Sequence, residues 1–284
     1  MESSFKVRNA KDGDENCINE DWVGIDMTRH KANVAQDPKY LMVTVDENDE
    51  AVGYGGITHA TPDIFYLGNF IVREDLRGKG IGKLIWQALI ERAGNRNIAL
   101  DAVSYTRDWY ENNGFKFSTS KVAYFNVCVN EAVKKSVQSE YTCRDLTEDL
   151  WPMMVKYDRQ VYPTLNRERI LRACFCVDSQ RAVVALHSNQ VVGYGSIHEK
   201  PHQEYELKNV FADDEGVVEA MLRELFKDVP EGRVVHFEKI EGKPMPKYLE
   251  RSDSPFDFSG IRMYNKYPVE TIGDKMWLSS ATIL

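Results

Sequence analysis

A six-residue stretch occurs twice in the chain, and its spacing constrains the fold more than any other feature. V-G-Y-G-G-I begins at Val52, and V-G-Y-G-S-I begins at Val192, 140 residues later in a chain of 284 residues. Two further identities lie at the same offset: Leu67 with Leu207, and Asn69 with Asn209. Matches at one spacing indicate an internal duplication. The length also favours two domains, because a single domain usually has roughly 100–200 residues.

Each unit is predicted to mix strands and helices. Residues 41–57 read as a β-hairpin, Ile64–Val72 as a long strand, and the apolar positions take a helical period from Gly80 onward. The second unit repeats the hairpin and the long strand. We therefore predict an α/β fold with mixed α+β sheets, in two domains at 1–132 and 141–284 joined by a linker at 133–140. The apolar C-terminal segment is predicted to dock as an added strand or as a clasp.

Composition and charge exclude several classes of function. No run approaches the roughly 20 apolar residues of a membrane span, and the net charge of −8 argues against nucleic-acid binding. The N-terminus has no apolar run behind a basic head, so we expect a soluble cytoplasmic protein. The five cysteines have no framework or metal-ligand spacing and are expected to be reduced thiols, with no metal site: Cys17, Cys128, Cys143, Cys174 and Cys176.

The stretch R-G-K-G-I-G, from Arg77 to Gly82, lies between the long strand and the predicted helix. Glycines let a ligand approach the backbone closely, and the unpaired amides of a helix start favour anions, so the pattern predicts a phosphate cradle. The spacing does not fit a Walker loop, which needs four residues between Gly and Gly-Lys-Ser/Thr. It does not fit the dinucleotide fingerprint G-x-G-x-x-G either.

The pattern R-x-x-G-x-G resembles the pyrophosphate-binding motif of the GCN5-related N-acetyltransferases (GNAT). Y-E-N-N-G-F, from Tyr110 to Phe115, is similar to the Y-x-x-x-G-F signature that follows the fifth strand of that family. The resemblance covers residues 5–130, in the order strand, two helices, hairpin, long strand, glycine turn, helix, strand, helix, strand. Val103 and Thr106 depart from it, because the family often carries Asn and Ala there.

The resemblance implies an acetyl-CoA-dependent N-acetyltransferase that works by direct attack in a ternary complex. Tyr110 would give a hydrogen bond or a proton to the departing CoA thiolate. The main chain of three residues would hold the pantetheine arm and polarise the acetyl carbonyl: Phe70, Ile71 and Val72. Arg77 and the turn that follows it would hold the pyrophosphate through charge and backbone amides: Gly78, Lys79, Gly80, Ile81, Gly82 and Lys83.

The general base is left open by the sequence. An alkylamine has a pKa near 10.4, so a group must accept a proton before its nitrogen can attack. Tyr66 stands where some relatives carry a Glu on the long strand, and it is the first candidate, acting through water. The other candidates are His59, Asp63, Asp101 and Glu111.

The second unit lacks the glycine turn. At the same offset the chain has V-V-E-A-M-L, from Val217 to Leu222, preceded by A-D-D-E-G. An anion would meet carboxylates there, so the second unit is predicted to keep the fold without binding CoA. It would pack on the first unit and shape the acceptor pocket, with four candidate residues for a cationic group: Asp158, Tyr162, Glu204 and Glu206. The layout, with R-M-Y-N-K-Y-P from Arg262, resembles a branch of the family with a divergent second unit.

Two other functions are compatible with these patterns. The principal hypothesis is acetyl transfer to a small-molecule amine. The first alternative is a CoA-binding or metabolite-sensing module without transferase activity, and the second is a structural interaction protein that binds no CoA.

Overall fold

The computed structural model describes residues 5–11, 13–14, 37–135, 139–175, 180–200, 203–246, 249 and 259–279. The two helices predicted after the first strand lie outside the described residues, as do Cys17, Cys176 and the last residues of the C-terminal segment. In the described ranges, no helix is long and apolar enough to cross a membrane. The cysteines that fall within them, Cys128, Cys143 and Cys174, are free thiols.

The described ranges form thirteen strands and six α-helices. The strands are β1 (Lys6–Asn9), β2 (Leu41–Val45), β3 (Ala51–Thr61), β4 (Ile64–Val72), β5 (Asn97–Val103), β6 (Phe117–Cys128), β7 (Thr142–Asp145), β8 (Gln180–His187), β9 (Gln190–Glu199), β10 (Tyr205–Ala212), β11 (Val234–Ile240), β12 (Ser259–Tyr264) and β13 (Met276–Ser279). The helices are α1 (Ile81–Ala93), α2 (Arg107–Asn112), α3 (Glu131–Lys134), α4 (Trp151–Val161), α5 (Glu168–Phe175) and α6 (Glu215–Phe226). Short 3₁₀ helices cover Glu74–Leu76, Ser104–Thr106 and Gly273–Lys275.

All thirteen described strands belong to one mixed sheet, which confirms the predicted fold class. Their order is β1-β2-β3-β4-β5-β12-β6-β11-β13-β10-β9-β8-β7. The predicted hairpin is β2 and β3, and the predicted long strand is β4, with the predicted ends. The segment with a helical period after Gly80 forms α1, and Gly94 caps the C-terminus of this helix.

The repeated V-G-Y-G stretch lets a helix pack closely on each half of the sheet. A Cβ on Gly53 would lie 2.9 Å from Ile85 Cδ1 of α1, and one on Gly193 would lie 2.7 Å from Val217 Cγ1 of α6. Such distances are shorter than a carbon–carbon contact allows, so each position excludes a side chain. The duplicated motif is therefore a helix-packing feature of each half.

The duplicated asparagine marks the same irregularity in both long strands. Asn69 has φ of 51° and Asn209 has φ of 55°, which is the left-handed region that asparagine tolerates. The register against the neighbouring strand shifts at each of them, between the Tyr54 and Gly56 pairs on β3 and between the Lys208 and Phe211 pairs on β10. Both halves thus carry a β-bulge in the middle of the long strand, which bends its second part.

The two halves share strands in a way that the sequence did not indicate. Val122–Cys128 of β6 pairs antiparallel with Val234–Ile240 of β11, and this pairing, which we call the seam, makes the sheet continuous. β12 comes from the C-terminal half, yet it lies in the first half between β5 and β6. A strand from residues 259–264 thus completes the sheet of the first predicted domain.

The sheet has a helix face and an opposite face. On the helix face, α1 packs on the side chains of Phe65, Leu67 and Leu100, and α6 packs in the same way in the second half. Successive side chains of a strand point to opposite faces of the sheet. Tyr66, between Phe65 and Leu67, and Ala99, next to Leu100, therefore lie on the opposite face. That face is buried together with Trp151, Leu171 and other residues of α4 and α5.

Candidate active site

The strands β4 and β5 separate at the middle of the first half. They pair in parallel from Ile64 with Asn97 to Leu67 with Leu100, and beyond that pair each strand continues without the other. The bulge at Asn69 lies just past the separation point. Phe70–Val72 therefore runs along a gap, where the main-chain groups facing β5 have no strand partner in the described part of the chain. An extended ligand can pair with such an edge as an added strand.

The glycine turn lies at the far end of this gap and opens α1. Gly78 has φ of 81° and Gly80 has φ of 86°, a conformation that strains residues with a Cβ. A Cβ at either position would meet nothing within 4 Å, so the space above the turn is open. Gly80 is the N-cap of α1, and no side chain caps this helix. The amides of its first turn therefore remain available to an anion.

Basic side chains surround the turn. Arg77 donates from Nε to the carbonyl of Val72 at 3.2 Å, which holds its stem beside the end of β4. Its guanidinium is largely exposed and reaches Glu74 only at 3.8 Å. Lys79, between Gly78 and Gly80, and Lys83, directly after Gly82, are both exposed. The turn thus combines positive charge with open backbone amides, as the sequence predicts.

A groove of about 610 Å³ runs from the glycine turn to α2. Its floor includes two tryptophans that the sequence analysis did not single out. The rings of Phe70 and Trp109 stack with centroids 5.7 Å apart, and Trp86 meets Trp109 edge to face at 4.8 Å. The lining residues are Phe70, Gly78, Gly80, Gly82, Lys83, Trp86, Gln87, Trp109 and Asn113. Trp109 is adjacent to Tyr110 in the quoted motif, which is the signal by which it could have been found.

Tyr110 lies at the inner end of this aromatic cluster. Its ring packs edge to face on Trp109 and Phe115, and it lies 6.0 Å from Trp86. Burial raises the pKa of Tyr110 to about 12, so its phenol is protonated at neutral pH. Tyr110 can therefore donate a hydrogen bond, which is the property that its predicted role requires.

Tyr66 is buried on the opposite face, beside the separation point of β4 and β5. Its hydroxyl donates to Asp101 Oδ2 at 2.8 Å. Burial, together with the charge of Asp101, raises the pKa of Tyr66 well above its usual value. A phenol that already donates to a carboxylate is a poor proton acceptor, so the geometry favours Asp101 over Tyr66 as the group that accepts a proton.

Asp101 directly follows the last residue of β5 that pairs with β4. Besides Tyr66 it accepts from Arg262, through Nε to Oδ1 at 2.5 Å and through Nη2 to Oδ2 at 2.9 Å. Arg262 comes from β12, so the C-terminal half supplies the cation that this carboxylate holds. A carboxylate has about four lone-pair positions, and these contacts occupy three of them.

The remaining candidate bases differ in their surroundings. The ring of His59 packs at a tilt against Phe65 with centroids 4.0 Å apart, and burial lowers the pKa of His59. Glu111 accepts from Arg107 at 2.7 Å in an exposed pair on α2. Asp63 is exposed in the turn between β3 and β4. None of the three lies next to the separation point of β4 and β5.

The equivalent gap in the second half is filled by the chain itself. β10 and β11 pair in parallel only from Tyr205 to Leu207, and β13 then lies between them. Leu278 of β13 is paired with Val210 on one side and with Lys239 on the other. The indole Nε1 of Trp277 donates to the carbonyl of Ala212 at 3.1 Å. The C-terminal segment is thus an added strand, as predicted.

The start of α6 also differs from that of α1. Asp214 is its N-cap, and its carboxylate accepts from the amide of Val217 at 2.9 Å. Tyr141 donates its hydroxyl to the same carboxylate at 3.0 Å. A side chain of the protein thus occupies the position that an anion takes at an uncapped helix start.

The four residues proposed to receive a cationic group already have partners inside the protein. Asp158 and Tyr162 hold the buried Arg167, through an ion pair and through a ring 3.6 Å from its guanidinium carbon. Glu206 pairs with Lys208 at 2.7 Å, and Glu204 lies 3.6 Å from His236. Arg167 thus supplies the cationic group between Asp158 and Tyr162 from within the protein.

Comparisons with known proteins agree with this architecture. Residues 13–130 and residues 154–274 each match a family model described as an acetyltransferase (GNAT) domain. Holothin acyltransferase of Pseudoalteromonas sp. (strain SANK 73390) is 22 % identical over 224 residues, which cover 77 % of this chain and 71 % of the relative.

Two solved structures have the same fold over almost the whole chain. A candidate acetyltransferase from Pyrococcus horikoshii superposes with a TM-score of 0.75 at 17 % identity, covering 100 % of this chain and 97 % of that one. A tandem GNAT protein from the clavulanic acid biosynthesis pathway gives a TM-score of 0.64 at 11 % identity, covering 92 % and 98 %.

The fold and the site define an α/β protein of two similar halves with an uncapped, glycine-rich helix start beside a parted pair of strands. The chain belongs to the GNAT superfamily of acyltransferases, as a tandem of two GNAT domains. Members of this superfamily generally use acyl-CoA as the donor.

Proposed function

We propose that the first domain is an acetyl-CoA-dependent N-acetyltransferase that acts on an amine by direct attack in a ternary complex. The observation that carries this proposal is the alignment of the β4–β5 gap with the uncapped glycine turn of α1. The two features together accept an extended arm that ends in a pyrophosphate. The family membership of the chain gives further support.

The residues present fit acetyl-CoA as the donor. The main chain of Phe70, Ile71 and Val72 would pair with its pantetheine arm along the gap. Residues Gly78 to Lys83 would surround its pyrophosphate with amides, and Arg77 and Lys79 would add charge. The open space above Gly78 and Gly80 leaves room for phosphate oxygens. When bound, acetyl-CoA supplies the thioester carbon that the amine attacks.

Tyr110 would stabilise the leaving group. Because its phenol is protonated at neutral pH, it can donate a hydrogen bond to sulfur as the C–S bond breaks. Its ring is held by Trp86, Trp109 and Phe115, which limits the directions that the hydroxyl can take. A fixed donor is most effective where charge develops in the transition state.

Asp101 would accept the proton that the attacking amine loses, directly or through water. It lies beside the point where the strands part, and one lone-pair position remains free of the contacts described above. Tyr66 would then act through Asp101, by holding its carboxylate in place. In this proposal Tyr66 is a positioning residue and not the base.

The second domain would bind no CoA. Its gap holds β13, and its helix start holds the carboxylate of Asp214. The family match describes the second half as a GNAT domain, and these contacts explain how such a domain can serve as a scaffold. It contributes β12, with Arg262, to the sheet of the first domain.

Thermal unfolding with and without acetyl-CoA tests the proposal. Saturation at 100 times Kd stabilises a protein by about 2.7 kcal/mol. We expect stabilisation of the natural chain and none for the double variant Arg77→Glu with Gly80→Val. Gly242→Val is a matched control, because Gly242 also has a positive φ and open space but lies in the second half. Retained binding in the double variant would refute the site.

Product formation separates transfer from mere binding. Incubation with acetyl-CoA and a panel of primary amines should release free CoA and give an acetylated amine. Stabilisation by acetyl-CoA without product on any amine would favour the alternative of a CoA-binding module.

A further inference from the structure

The opposite face of the sheet carries a group of charged residues around the seam, which we call the seam cluster. It contains three carboxyl groups and two buried cations, and the partly exposed Lys200 approaches Glu206 at 4.0 Å from the rim. Asp101 pairs with Arg262, and Glu206 pairs with Lys208. The third carboxyl is Glu238 of β11, which is 7 % exposed. In the described part of the chain no Lys, Arg or His nitrogen forms an ion pair with Glu238.

Glu238 is an unusual group for a protein interior. Its Oε2 atom is buried and has no hydrogen-bond partner among the described residues. A buried carboxylate without a partner is costly, so such a group usually serves a function or receives a ligand. Burial, followed by the charges of Asp101 and Glu206, raises the pKa of Glu238 to about 8. The seam cluster is therefore one buried cation short when Glu238 is ionised, because Lys200 lies against Glu206 and Glu238 has no ion-pair partner among the described residues.

The seam cluster extends from Glu238 to the gap of the first domain. Glu238 is paired in register with Tyr124 of β6, across the seam. A Cβ on Gly260 of β12 would lie 3.7 Å from the hydroxyl of Tyr124, so this side chain reaches over β12 towards β5. Asp101 lies on β5, opposite Arg262. Polar groups thus connect the second domain with the place where transfer is proposed.

Asp101 and Glu238 are the two carboxyl groups at the ends of the seam cluster. β12 and β6 lie between β5 and β11, and three strand spacings amount to roughly 14 Å between backbones. The two side chains lie on the same face and shorten this distance, and the charge of Asp101 acts on Glu238 more strongly than that of Glu206. A molecule that contacts both carboxyl groups must therefore carry two cationic groups separated along its length.

Resting on the proposed function, we infer that the acceptor is an elongated amine with two amino groups, and that Glu238 binds the second group as an ammonium ion. The first amino group is the one that receives the acetyl group at the β4–β5 gap. The second supplies the cation that the seam cluster lacks. Glu238 is thus a specificity-determining residue, contributed by the domain that binds no CoA.

The expected pH dependence follows from the ionisation of Glu238. The side chain becomes charged as the pH rises through about 8, whereas an alkylamine stays protonated to about 10.4. Affinity for a diamine should therefore rise between pH 6 and pH 9. The groups that interact electrostatically with Glu238 are Asp101, Tyr66, Tyr124, Glu206, Lys208 and Arg262. His236 lies two residues away on β11, and His198 of β9 is paired with Glu206. Burial raises the pKa of Tyr66 and that of Tyr124, so both remain neutral over this range.

Isothermal titration with 1,6-diaminohexane tests the inference directly. At pH 7 a carboxyl with a pKa of about 8 is about nine-tenths protonated, so binding an ammonium ion should release close to one proton to the buffer. Comparing buffers of different ionisation enthalpy measures this release. We expect Glu238→Gln to abolish it and to weaken binding roughly tenfold or more. Glu241→Gln, at an exposed position three residues away, is the matched control.

A kinetic comparison separates recognition from a structural role. 6-Amino-1-hexanol has the same length as 1,6-diaminohexane but only one amino group. In the natural chain the KM of the diamine should be lower, and in Glu238→Gln the two KM values should become similar. Glu238→Asp keeps the carboxyl group and should retain proton release with weaker binding. Equal KM values in the natural chain, or a diamine KM that Glu238→Gln leaves unchanged, would overturn the inference.

Failure of this inference about Glu238 can be distinguished from failure of the proposed function. The variant Arg77→Glu with Gly80→Val should lose acetyl-CoA binding but still bind 1,6-diaminohexane with proton release. Glu238→Gln should still bind acetyl-CoA, but it should bind 1,6-diaminohexane more weakly and without proton release. If acetyl-CoA does not bind the natural chain, the proposed function fails, whereas the titration with the diamine alone still decides the role of Glu238.

Discussion

Each half of the molecule has a gap between two parallel strands. The gap between β4 and β5 is open, whereas the gap between β10 and β11 is filled. Both open at a bulge marked by an asparagine, Asn69 or Asn209, after a short parallel pairing. The first leads to an uncapped helix start with two glycines at positive φ. The second is filled by β13 and leads to a helix capped by Asp214. The same fold thus leaves the gap open and the helix start uncapped in one copy, and fills the gap and caps the helix in the other.

The comparison shows that this fold can occur with an open gap or with a filled one. Tyr66 and Glu206 stand at equivalent positions of the long strands, and Asp101 and Glu238 each directly follow the last pair of the parallel strands. Each copy therefore presents an acidic residue at its separation point. The seam brings the two points onto one face, where the acid of the closed copy can serve the open copy.

The largest effect should come from the glycine turn. Arg77→Glu with Gly80→Val removes a cation, adds a like charge for the phosphates and places a Cβ at a positive φ. We expect the affinity for acetyl-CoA to fall more than about a hundredfold, since several charge-assisted hydrogen bonds are lost together. Titration calorimetry measures this change, and a loss below about tenfold would place the phosphates elsewhere.

The next largest effect concerns the strand that fills the second gap. Trp277→Ala removes a buried indole and its hydrogen bond to Ala212, and it should destabilise the protein by about 3–5 kcal/mol. Denaturant unfolding measures this loss. The Kd for acetyl-CoA should stay within about twofold, because the first gap is unaffected. A second acetyl-CoA binding event in this variant would show that β13 blocks a functional site.

Tyr110→Phe should affect turnover more than binding. We expect kcat to fall roughly tenfold to a hundredfold while the Kd of acetyl-CoA changes little, because the hydroxyl acts when charge develops on sulfur. Steady-state rates of CoA release with an accepted amine measure the split. Tyr141→Phe, which removes a hydroxyl at the second helix start, is the matched control. An unchanged kcat in Tyr110→Phe would remove this residue from the mechanism.

The smallest effect is expected at the cap of α6. Asp214→Ala should cost about 1 kcal/mol of stability, which is typical of a lost N-cap. It should not create CoA binding, because β13 still fills the gap. Gain of a phosphate-dependent interaction in this variant would mean that Asp214 alone keeps the second copy closed.

Much of this architecture could be predicted from the sequence because it depends on local patterns. The offset between Val52 and Val192 indicated the duplication, and the largely apolar run after the turn T-P-D predicted β4 with its ends. The glycine turn was recognisable because its residue types carry its chemistry. The placement of β12 was not predictable in this way, because its pairing joins residues more than 150 positions apart. Such pairings depend on complementary surfaces that only the folded chain brings together.

The same reason explains why Glu238 was missed. In the sequence it is one carboxylate in H-F-E-K-I, with nothing nearby that marks it. Only the seam places it beside Tyr124, with no ion-pair partner among the described residues. Trp86 and Trp109 were missed because aromatic residues on helices usually indicate core packing.

The stoichiometry of acetyl-CoA binding tests the contrast between the two gaps most directly. Titration calorimetry on the natural chain should give one site per chain, and the variant Arg77→Glu with Gly80→Val should give none. Two sites per chain, or one site that survives in the double variant, would contradict the account, because either result would place a donor in the gap that β13 fills.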